Sequence, residues 1–165
     1  MILFRDAVAM VRLTPELAGR LVVSGVGERA WNIANLASGG FFKPISADDG
    51  QSGPRPHIAL LDEVHEHKTA HVIEMLRAGQ KGRRQPLMVE ITNSGKDKTS
   101  VAWEHHSYGI KVAAQQLKDD SFFSYICALD KKEDPFTDRK CWVKANPSLG
   151  VTIQESYLEA QVTQA

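Results

Sequence analysis

Residues 57–67 have the sequence HIALLDEVHEH, and this stretch decides the fold. Its first five residues form an apolar run that stops abruptly at Asp62-Glu63. A short continuous apolar run is typical of a strand that is buried on both faces. A second run, PLMVEIT at residues 86–92, ends at Asn93-Ser94-Gly95. We therefore predict two buried strands, each followed by polar side chains.

Helical patterns separate and follow these strands. Residues 69–78 predict a helix that closes at Gly79, and residues 99–117 predict a long amphipathic helix. The apolar residues 122–129 predict a third strand. Strands that alternate with helices indicate βαβ units, so the predicted fold is α/β with a mainly parallel sheet.

The remaining segments predict shorter elements. Thr14 and Pro15 have the pattern of a helix start, with Thr14 as the N-cap. The further predictions are helices at 2–11, 17–21, 138–145 and 153–162, two strands within 31–45 around Ser38-Gly39-Gly40, and a loop at 46–56. We find no internal repeat and no clear linker, so we expect one domain.

Composition narrows the class of protein. The chain has 165 residues, of which 42% are apolar, and its 20 basic residues balance 20 acidic ones. A zero net charge therefore excludes a histone-like basic surface or a basic tail as the main feature of the protein. It does not exclude a local basic patch. No apolar run approaches the ~20 residues of a membrane-spanning helix. Two cysteines, Cys127 and Cys141, are too few for a disulfide framework and favour a reducing compartment.

The polar residues at the two strand ends are candidates for nucleotide chemistry. Asp62 can hold Mg²⁺ on a nucleotide, and Glu63 can polarise an attacking water. The alternative without a function is that Asp62 and Glu63 are two solvated acids at the end of a strand. Thr92 and Ser94 can sense a terminal phosphate, or they can belong to an ordinary turn. No Gly-x-x-x-x-Gly-Lys-[Ser/Thr] motif exists in the 165 residues, so the usual phosphate cradle is missing.

Histidines and basic residues offer other interpretations. His57, His65, His67 and His71 fall within fifteen residues, and His67 and His71 have the spacing of a metal pair on one helix face. A metal-dependent hydrolase is one alternative, and solvated histidines at a helix start are the other. A basic stretch beside the strand ends can meet nucleotide or DNA phosphate. It consists of Arg77, Lys81, Arg83, Arg84, Lys96 and Lys98.

In combination, these residues resemble the large terminase subunit of tailed bacteriophages, in its ATPase part. The matching pieces occur in order through nearly the whole chain. They are ILFRDAVAMV at 2–11, LTPEL at 13–17, a loop with Asp49-Gly50, HIALLDEVHEH at 57–67, the helix to Gly79, RRQPL at 83–87, EITNSG at 90–95, the turn ending in Asp138, Trp142, and ANPSLG at 145–150.

The resemblance implies part of an additional-strand P-loop NTPase, a three-layer α/β sandwich that uses ATP and Mg²⁺. Asp62 then matches the Walker B metal ligand, and Glu63 matches the catalytic glutamate that also contacts the nucleotide. Thr92 to Gly95, with Ser94, match the coupling motif. Arg55, or alternatively Arg84, is the candidate for an arginine supplied to the neighbouring subunit's ATP site.

The resemblance also implies partners and missing parts. It implies a motor that packages double-stranded DNA into procapsids through backbone contacts, in the cytoplasm of an infected bacterium. Its partners are other large subunits in a ring, the small terminase subunit and the portal. In the family, Walker A lies upstream of the matched stretch and the nuclease domain downstream. We therefore expect residues 1–165 to be the later part of one ATPase domain, with 146–165 starting the connection to an absent nuclease domain.

Two rival functions remain open. Asp62-Glu63-Val64-His65 spells a DExH box, so a helicase fragment is one alternative, although RRQPL and ANPSLG have no place in that pattern. A non-catalytic α/β binding or assembly module is the other. Because the phosphate cradle is missing, we expect the isolated chain to lack ATPase activity, and to rearrange, self-associate or be marginally stable.

Overall fold

The computed structural model describes residues 2–46, 53–93 and 95–164, and the chain divides into two compact units. The first unit is Met1–Glu104 and the second is His105–Ala165. From the sequence we expected one domain, whereas the structure groups the chain into these two units. Most of the predicted loop at 46–56, including Asp49-Gly50, lies outside the described residues.

Two helices open the first unit. Helix α1, Ile2–Leu13, buries Phe4, Val8 and Val11, which are four and three residues apart and so lie on one helix face. Helix α2, Pro15–Ala18, has proline at its first position, but the Thr14 side chain makes no capping hydrogen bond. This helix ends earlier than predicted, because residues 22–24 enter a strand.

An antiparallel sheet packs against α1. Its strands are β1 (Val22–Ser24), β2 (Asn32–Asn35) and β3 (Gly40–Phe42), in the order β1-β2-β3. The two strands predicted within 31–45 are confirmed as β2 and β3. Strand β1 was missed: its three residues precede Gly25, where φ is +91° and a Cβ would lie 2.3 Å from the Arg29 carbonyl oxygen. Only glycine fits that turn.

The predicted βαβ unit is present. Strand β4 (Ile58–Leu61), helix α3 (His71–Gly79) and strand β5 (Leu87–Glu90) follow in order, and β4 pairs in parallel with β5. The register joins Ile58 to Leu87 and Leu61 to Glu90. The carboxyl ends of both strands therefore lie at the same edge of the sheet.

One face of this parallel pair carries the core. Ala59 and Leu61 are buried, and Met88 packs beside them. The cluster is completed by Val64, by α3 residues Val72, Ile73 and Leu76, and by Val101 and Ala102 from the start of α4 (Val101–Ala113).

The opposite face of the pair is exposed among the described residues. Ile58, Leu60, Leu87 and Ile91 are each about half exposed. The expectation that β4 is buried on both faces was therefore wrong. Helix α3 and the start of α4 pack on the covered face of the pair, and the three-layer sandwich implied by the resemblance stays a prediction.

The end of α3 closes the amino edge of the pair. The buried side chain of Gln80 donates to the carbonyl oxygens of Leu87 at 3.0 Å and His57 at 3.4 Å. At Gly79 the Pro54 carbonyl approaches so closely that a Cβ would lie 2.1 Å from its oxygen. Gln80, directly after α3, therefore adds a side-chain donor to carbonyl oxygens at this edge, where the His57 carbonyl oxygen also accepts the Leu87 N–H at 2.9 Å.

The second unit is built from the end of α4 and short helices. Helix α5, Trp142–Ala145, follows a 3₁₀ turn at Arg139–Cys141, and α6 is Glu155–Gln164. Both match the predicted helices at 138–145 and 153–162. The third strand predicted at 122–129 is wrong: these residues alternate in exposure, but no described strand supplies backbone partners to them.

Polar contacts order the turns of the second unit. The Trp142 indole N–H donates to the Pro135 carbonyl oxygen at 2.7 Å. The Lys144 ammonium group contacts Asp130 and Glu133, and hydrogen bonds to these carboxylates raise the pKa of Lys144. Burial raises the pKa of the Cys141 thiol, and neither cysteine forms a disulfide.

Among the described residues, every helix is too short or too polar to span a membrane.

The two faces of β4 make a direct stability comparison possible. Leu61, 5% exposed, and Leu60, 48% exposed, are neighbours of the same type in the same strand. We expect Leu61→Ala to lower the free energy of unfolding by ~2–5 kcal/mol, because it leaves a cavity in the core. Leu60→Ala should cost less than ~1 kcal/mol. Urea unfolding measures both.

Equal losses for the two variants would contradict the one-sided core. A loss for Leu60→Ala that grows with protein concentration would indicate that copies of the chain cover this face.

Candidate functional site

The candidate site lies where β4 and β5 end together. Asp62 and Glu63 follow β4, and Ile91 and Thr92 follow β5. The Ile91 N–H donates to the Leu61 carbonyl at 2.9 Å, and the Val64 N–H donates to the Ile91 carbonyl at 3.3 Å. These bonds extend the parallel pairing beyond the strands and bring the two polar ends together, as the sequence predicted.

A left-handed residue turns the chain at this edge. Glu63 has φ 52° and ψ 50°, a conformation that costs a non-glycine residue ~1–2 kcal/mol. Val64 comes next and is 0% exposed within the core cluster. A 3₁₀ turn, Val64–Glu66, then carries His65 back toward β5. Burial of Val64 therefore holds the strained turn in position.

The Thr92 hydroxyl joins the two strand ends. It accepts the backbone N–H of His65 at 3.0 Å and lies 3.1 Å from Nδ1 of the His65 ring. The same Nδ1 is 3.2 Å from the Glu63 carboxylate, and Nε2 is 3.2 Å from the Glu66 carboxylate. Thr92, His65 and Glu63 thus form one connected polar group, while Glu66 is largely exposed to water.

Gly95 lies against the His65 side chain of this polar group. A Cβ added at Gly95 would lie 3.1 Å from Cβ of His65, closer than most real contacts of this kind. Residue 95 can therefore lie against His65 without displacement only because it has no side chain. Ser94, which we expected to act with Thr92, lies outside the described residues.

The residues present fit a magnesium-bound nucleotide in part. Asp62 is half-buried at the strand end, and Mg²⁺ prefers one or two protein carboxylates together with phosphate and water oxygens. Glu63 is 51% exposed by side chain and so remains open to a ligand. Asp62 can hold a metal ion there, and Glu63 can accept a proton from water.

The two candidate arginines lie at the other edge of the sheet. Arg55 precedes β4 and Arg84 precedes β5, whereas Asp62 follows β4. The four residues of β4 alone span ~10 Å. The Arg55 carbonyl accepts from the Arg83 guanidinium, at 2.6 Å from Nη2, while the Arg55 side chain is exposed. Neither candidate is brought to Asp62 and Glu63 within this chain.

The basic stretch is not one patch. Lys81, Arg83 and Arg84 lie on the amino side of β5, while Lys96 and Lys98 follow its carboxyl side. We expected all of them beside the polar strand ends. Because a strand separates the two groups, only Lys96 and Lys98 fit that expectation.

The metal pair proposed for His67 and His71 is not formed on one helix. His67 ends the 3₁₀ turn, and α3 begins at His71. Across the described part of the chain, no group of three or more histidine, cysteine or acidic side chains could hold a metal ion. The metal-hydrolase alternative therefore lacks a site among these residues.

Sequence reasoning missed the role of His65. The pattern suggested a metal ligand or a solvated histidine, whereas the ring is 17% exposed and bonded to Thr92. The residue lies 27 positions from Thr92, so no local spacing indicates the contact. The one available signal was the parallel pairing of the two strands.

Family comparisons identify the two parts of the chain. A family model described as terminase large subunit, ATPase domain, matches residues 2–111. A second, described as terminase large subunit, endonuclease domain, matches residues 116–165. The second match starts 30 residues before 146 (146 − 116), where we expected the connection toward an absent nuclease domain to begin. It also differs from the expectation of ATPase sequence throughout.

Individual proteins show the same likeness. Protein YmfN of Escherichia coli (strain K12) is 30% identical over 150 residues, which are 91% of this chain and 32% of YmfN. The crystal structure of the HK97 bacteriophage large terminase matches with a TM-score of 0.81 and 22% identity, covering 99% of this chain and 33% of that one. The chain spans about a third of the length of each, and the second match supports the fold.

Because Glu63 is left-handed, we expect glycine to be more stable than alanine at this position, the reverse of the usual order. Glu63→Gly and Glu63→Ala both remove the side chain, but only glycine adopts this backbone without strain. We expect the glycine variant to be more stable than the alanine variant by ~1 kcal/mol, measured by urea unfolding.

Arg77→Gly and Arg77→Ala are the control, because Arg77 is an exposed residue of α3. There the alanine variant should be more stable than the glycine variant. A glycine variant at residue 63 that is no more stable than the alanine variant would contradict the strained turn.

Proposed function

Because the chain belongs to the terminase large subunit family, we propose that it supplies the hydrolysis and coupling residues of the ATP-driven motor that packages viral DNA into procapsids. The ATPase-domain match at 2–111 includes both polar strand ends and supports this assignment. We assign the change from ATPase to endonuclease sequence to residues 112–115, between the two family matches. The helicase alternative is disfavoured by the same matches.

The observation that carries the proposal is the junction of the two strand ends. A carboxylate pair follows β4, and the Thr92 hydroxyl that follows β5 is bonded to the turn beyond that pair. Ligands of open α/β sheets bind at such carboxyl edges. A phosphate-bearing substrate at this edge would meet an acid, a base and a hydroxyl on adjacent strands.

We assign separate roles to the two acids. Asp62 would be the Walker B residue that holds Mg²⁺ on ATP, and the metal would neutralise charge on the phosphates. Glu63 would orient the attacking water and accept its proton. The left-handed backbone of Glu63 turns the chain out of the course of β4 directly after Asp62. We therefore assign the two adjacent acids to different tasks.

In the proposed motor, polypeptide other than these 165 residues would supply the phosphate cradle. The 165 residues contain no Gly-x-x-x-x-Gly-Lys-[Ser/Thr] motif, and backbone amides of such a loop normally hold the phosphates. The exposed apolar face of β4 and β5 is compatible with further strands or helices of an ATPase domain packing there. ATP would then lie between that segment and Asp62.

Thr92 and Ser94 would act as the coupling motif. Thr92 bonds the turn that holds Glu63, so a displacement of β5 reaches the hydrolytic acid through one hydroxyl. Arg55, or Arg84, would serve the neighbouring subunit of a ring. Their position at the edge opposite Asp62 fits action on another subunit better than action on their own.

The partners follow from the proposed motor. Double-stranded DNA would be held by its phosphate backbone, because packaging must proceed through any sequence. Other large subunits, the small terminase subunit and the portal would complete the assembly. It would act in the cytoplasm of the infected bacterium.

A segment exchange tests the proposed hydrolytic role. Residues 57–95 replace the equivalent segment of a large terminase that hydrolyses ATP, and kcat is measured at saturating ATP and Mg²⁺. We expect the exchanged protein to stay active and Glu63→Gln to lower kcat by roughly 10²–10⁴-fold, because the general base is lost.

Glu74→Gln is the matched control, since Glu74 is an exposed acid of α3 outside the site. Its kcat should remain within about twofold of the unsubstituted exchange. If Glu63→Gln keeps full activity in a folded exchanged protein, the proposed role of Glu63 is wrong.

The isolated 165-residue chain should not hydrolyse ATP. Asp62 and Glu63 are present, but the lysine and amides of a phosphate cradle are not. Phosphate release with Mg²⁺ and DNA should equal that of a Glu63→Gln preparation. Turnover above that baseline would show that the chain builds a phosphate site of another kind.

A further inference from the structure

We propose that His65 is a positioning residue that ties Glu63 to Thr92, so that the orientation of the Glu63 carboxylate depends on the Thr92 hydroxyl. The catalytic meaning of this link rests on the function proposed above. The link itself is a property of this chain and can be measured without nucleotide.

The hydrogen-bond network around His65 favours a proton on ring nitrogen Nδ1. The Thr92 hydroxyl donates its one hydrogen to the Asn93 carbonyl oxygen at 3.0 Å. Its lone pairs are then free to accept the His65 backbone N–H at 3.0 Å and the ring Nδ1 at 3.1 Å. With the hydroxyl hydrogen directed to Asn93, the Nδ1–H tautomer is the one that makes this contact a hydrogen bond.

The same Nδ1–H also faces Glu63. A Glu63 carboxylate oxygen lies 3.2 Å from Nδ1, and an ionised carboxylate only accepts hydrogen bonds. A proton on Nδ1 would therefore be shared between the Thr92 hydroxyl and the Glu63 carboxylate. One ring nitrogen thus connects a residue at the end of β5 to a residue at the end of β4.

The ring is held well enough to transmit this contact. Its side chain is only 17% exposed, whereas that of Glu63 is 51% exposed. Val64 anchors the backbone beside it, and Gly95 leaves no space at its Cβ. Nε2 is additionally 3.2 Å from the Glu66 carboxylate. A largely buried ring therefore restrains a carboxylate that water alone would leave free to rotate.

Loss of the Thr92 hydroxyl should release this restraint. Without that acceptor, Nδ1 retains one of its two partners and the His65 backbone N–H loses its own. The ring then has freedom to turn, and the Glu63 carboxylate moves with it. A methyl group in place of the hydroxyl keeps the shape of Thr92 and removes only the acceptor.

NMR on the 165-residue chain, with ¹³C in glutamate and ¹⁵N in histidine, tests the proposal at fixed pH. We expect Thr92→Val to shift both the Glu63 carboxyl carbon and the His65 Nδ1 signals. Thr92→Ser, which keeps a hydroxyl, should restore both toward their original positions. Thr14→Val is the matched control, because the Thr14 side chain makes no capping hydrogen bond, and it should shift neither signal.

A double-mutant cycle separates a link through His65 from a general loosening. In a His65→Ala background, Thr92→Val should no longer shift the Glu63 carboxyl signal. His65→Asn places an amide N–H near the position of Nδ1–H and should retain part of the response. Methyl signals of Leu61 and Val64 report whether the core stays intact. If Thr92→Val does not fold, the Glu63 carboxyl signal is compared between His65→Ala and His65→Asn, and only His65→Asn should lie near the original position.

An unchanged Glu63 signal in folded Thr92→Val would overturn the proposal. So would a full Thr92 response that persists in His65→Ala. These outcomes are independent of the segment exchange: if the NMR link holds while Glu63→Gln stays active there, only the proposed function fails. If Glu63→Gln is inactive but the NMR link is absent, only the role of His65 fails.

Discussion

The hydrogen bonds that join β4 to β5 in parallel, with Leu61 opposite Glu90, hold both strand ends at one edge of a sheet. Because the two strands are parallel, α3 must cross between them, and its apolar side covers one face. The same pairing continues past the strands through Ile91 and Val64. The contact between Thr92 and His65, and the distance from His65 to Glu63, both depend on this register.

The two faces of the β4–β5 pair differ in their exposure to solvent. Four aliphatic side chains, Ile58, Leu60, Leu87 and Ile91, stand in water beside a well-packed core. Full burial of such a side chain is worth ~1.5–3 kcal/mol, and these four are already about half buried, so a covering layer would add part of that stabilisation at each. The polar edge is nevertheless formed, because the helices on the covered face are sufficient to hold the register.

Local pattern predicted the βαβ unit and its polar edge, because apolar runs, helix periodicity and strand-end polarity are all contained in short windows of sequence. The same windows gave wrong results where the outcome depends on neighbours. Residues 122–129 have strand-like composition but lack a pairing strand among the described residues. The left-handed backbone of Glu63 and the contact of His65 with Thr92 were invisible, since one depends on the burial of Val64 and the other joins residues 27 positions apart.

The burial of Val64 affects how the polar edge of the sheet, formed by Asp62, Glu63 and Thr92, can change in evolution. It is the fully buried residue between Glu63 and His65, so the position of both polar neighbours is set by how well the core accepts one isopropyl group. Protein cores respond to volume changes as small as a methylene. Exchanges of size among Val72, Ile73 and Leu76 would thus retune the polar edge without altering any polar residue. Core and edge are therefore expected to vary together among related sequences, with compensating core substitutions accompanying each shift in the geometry of the acids.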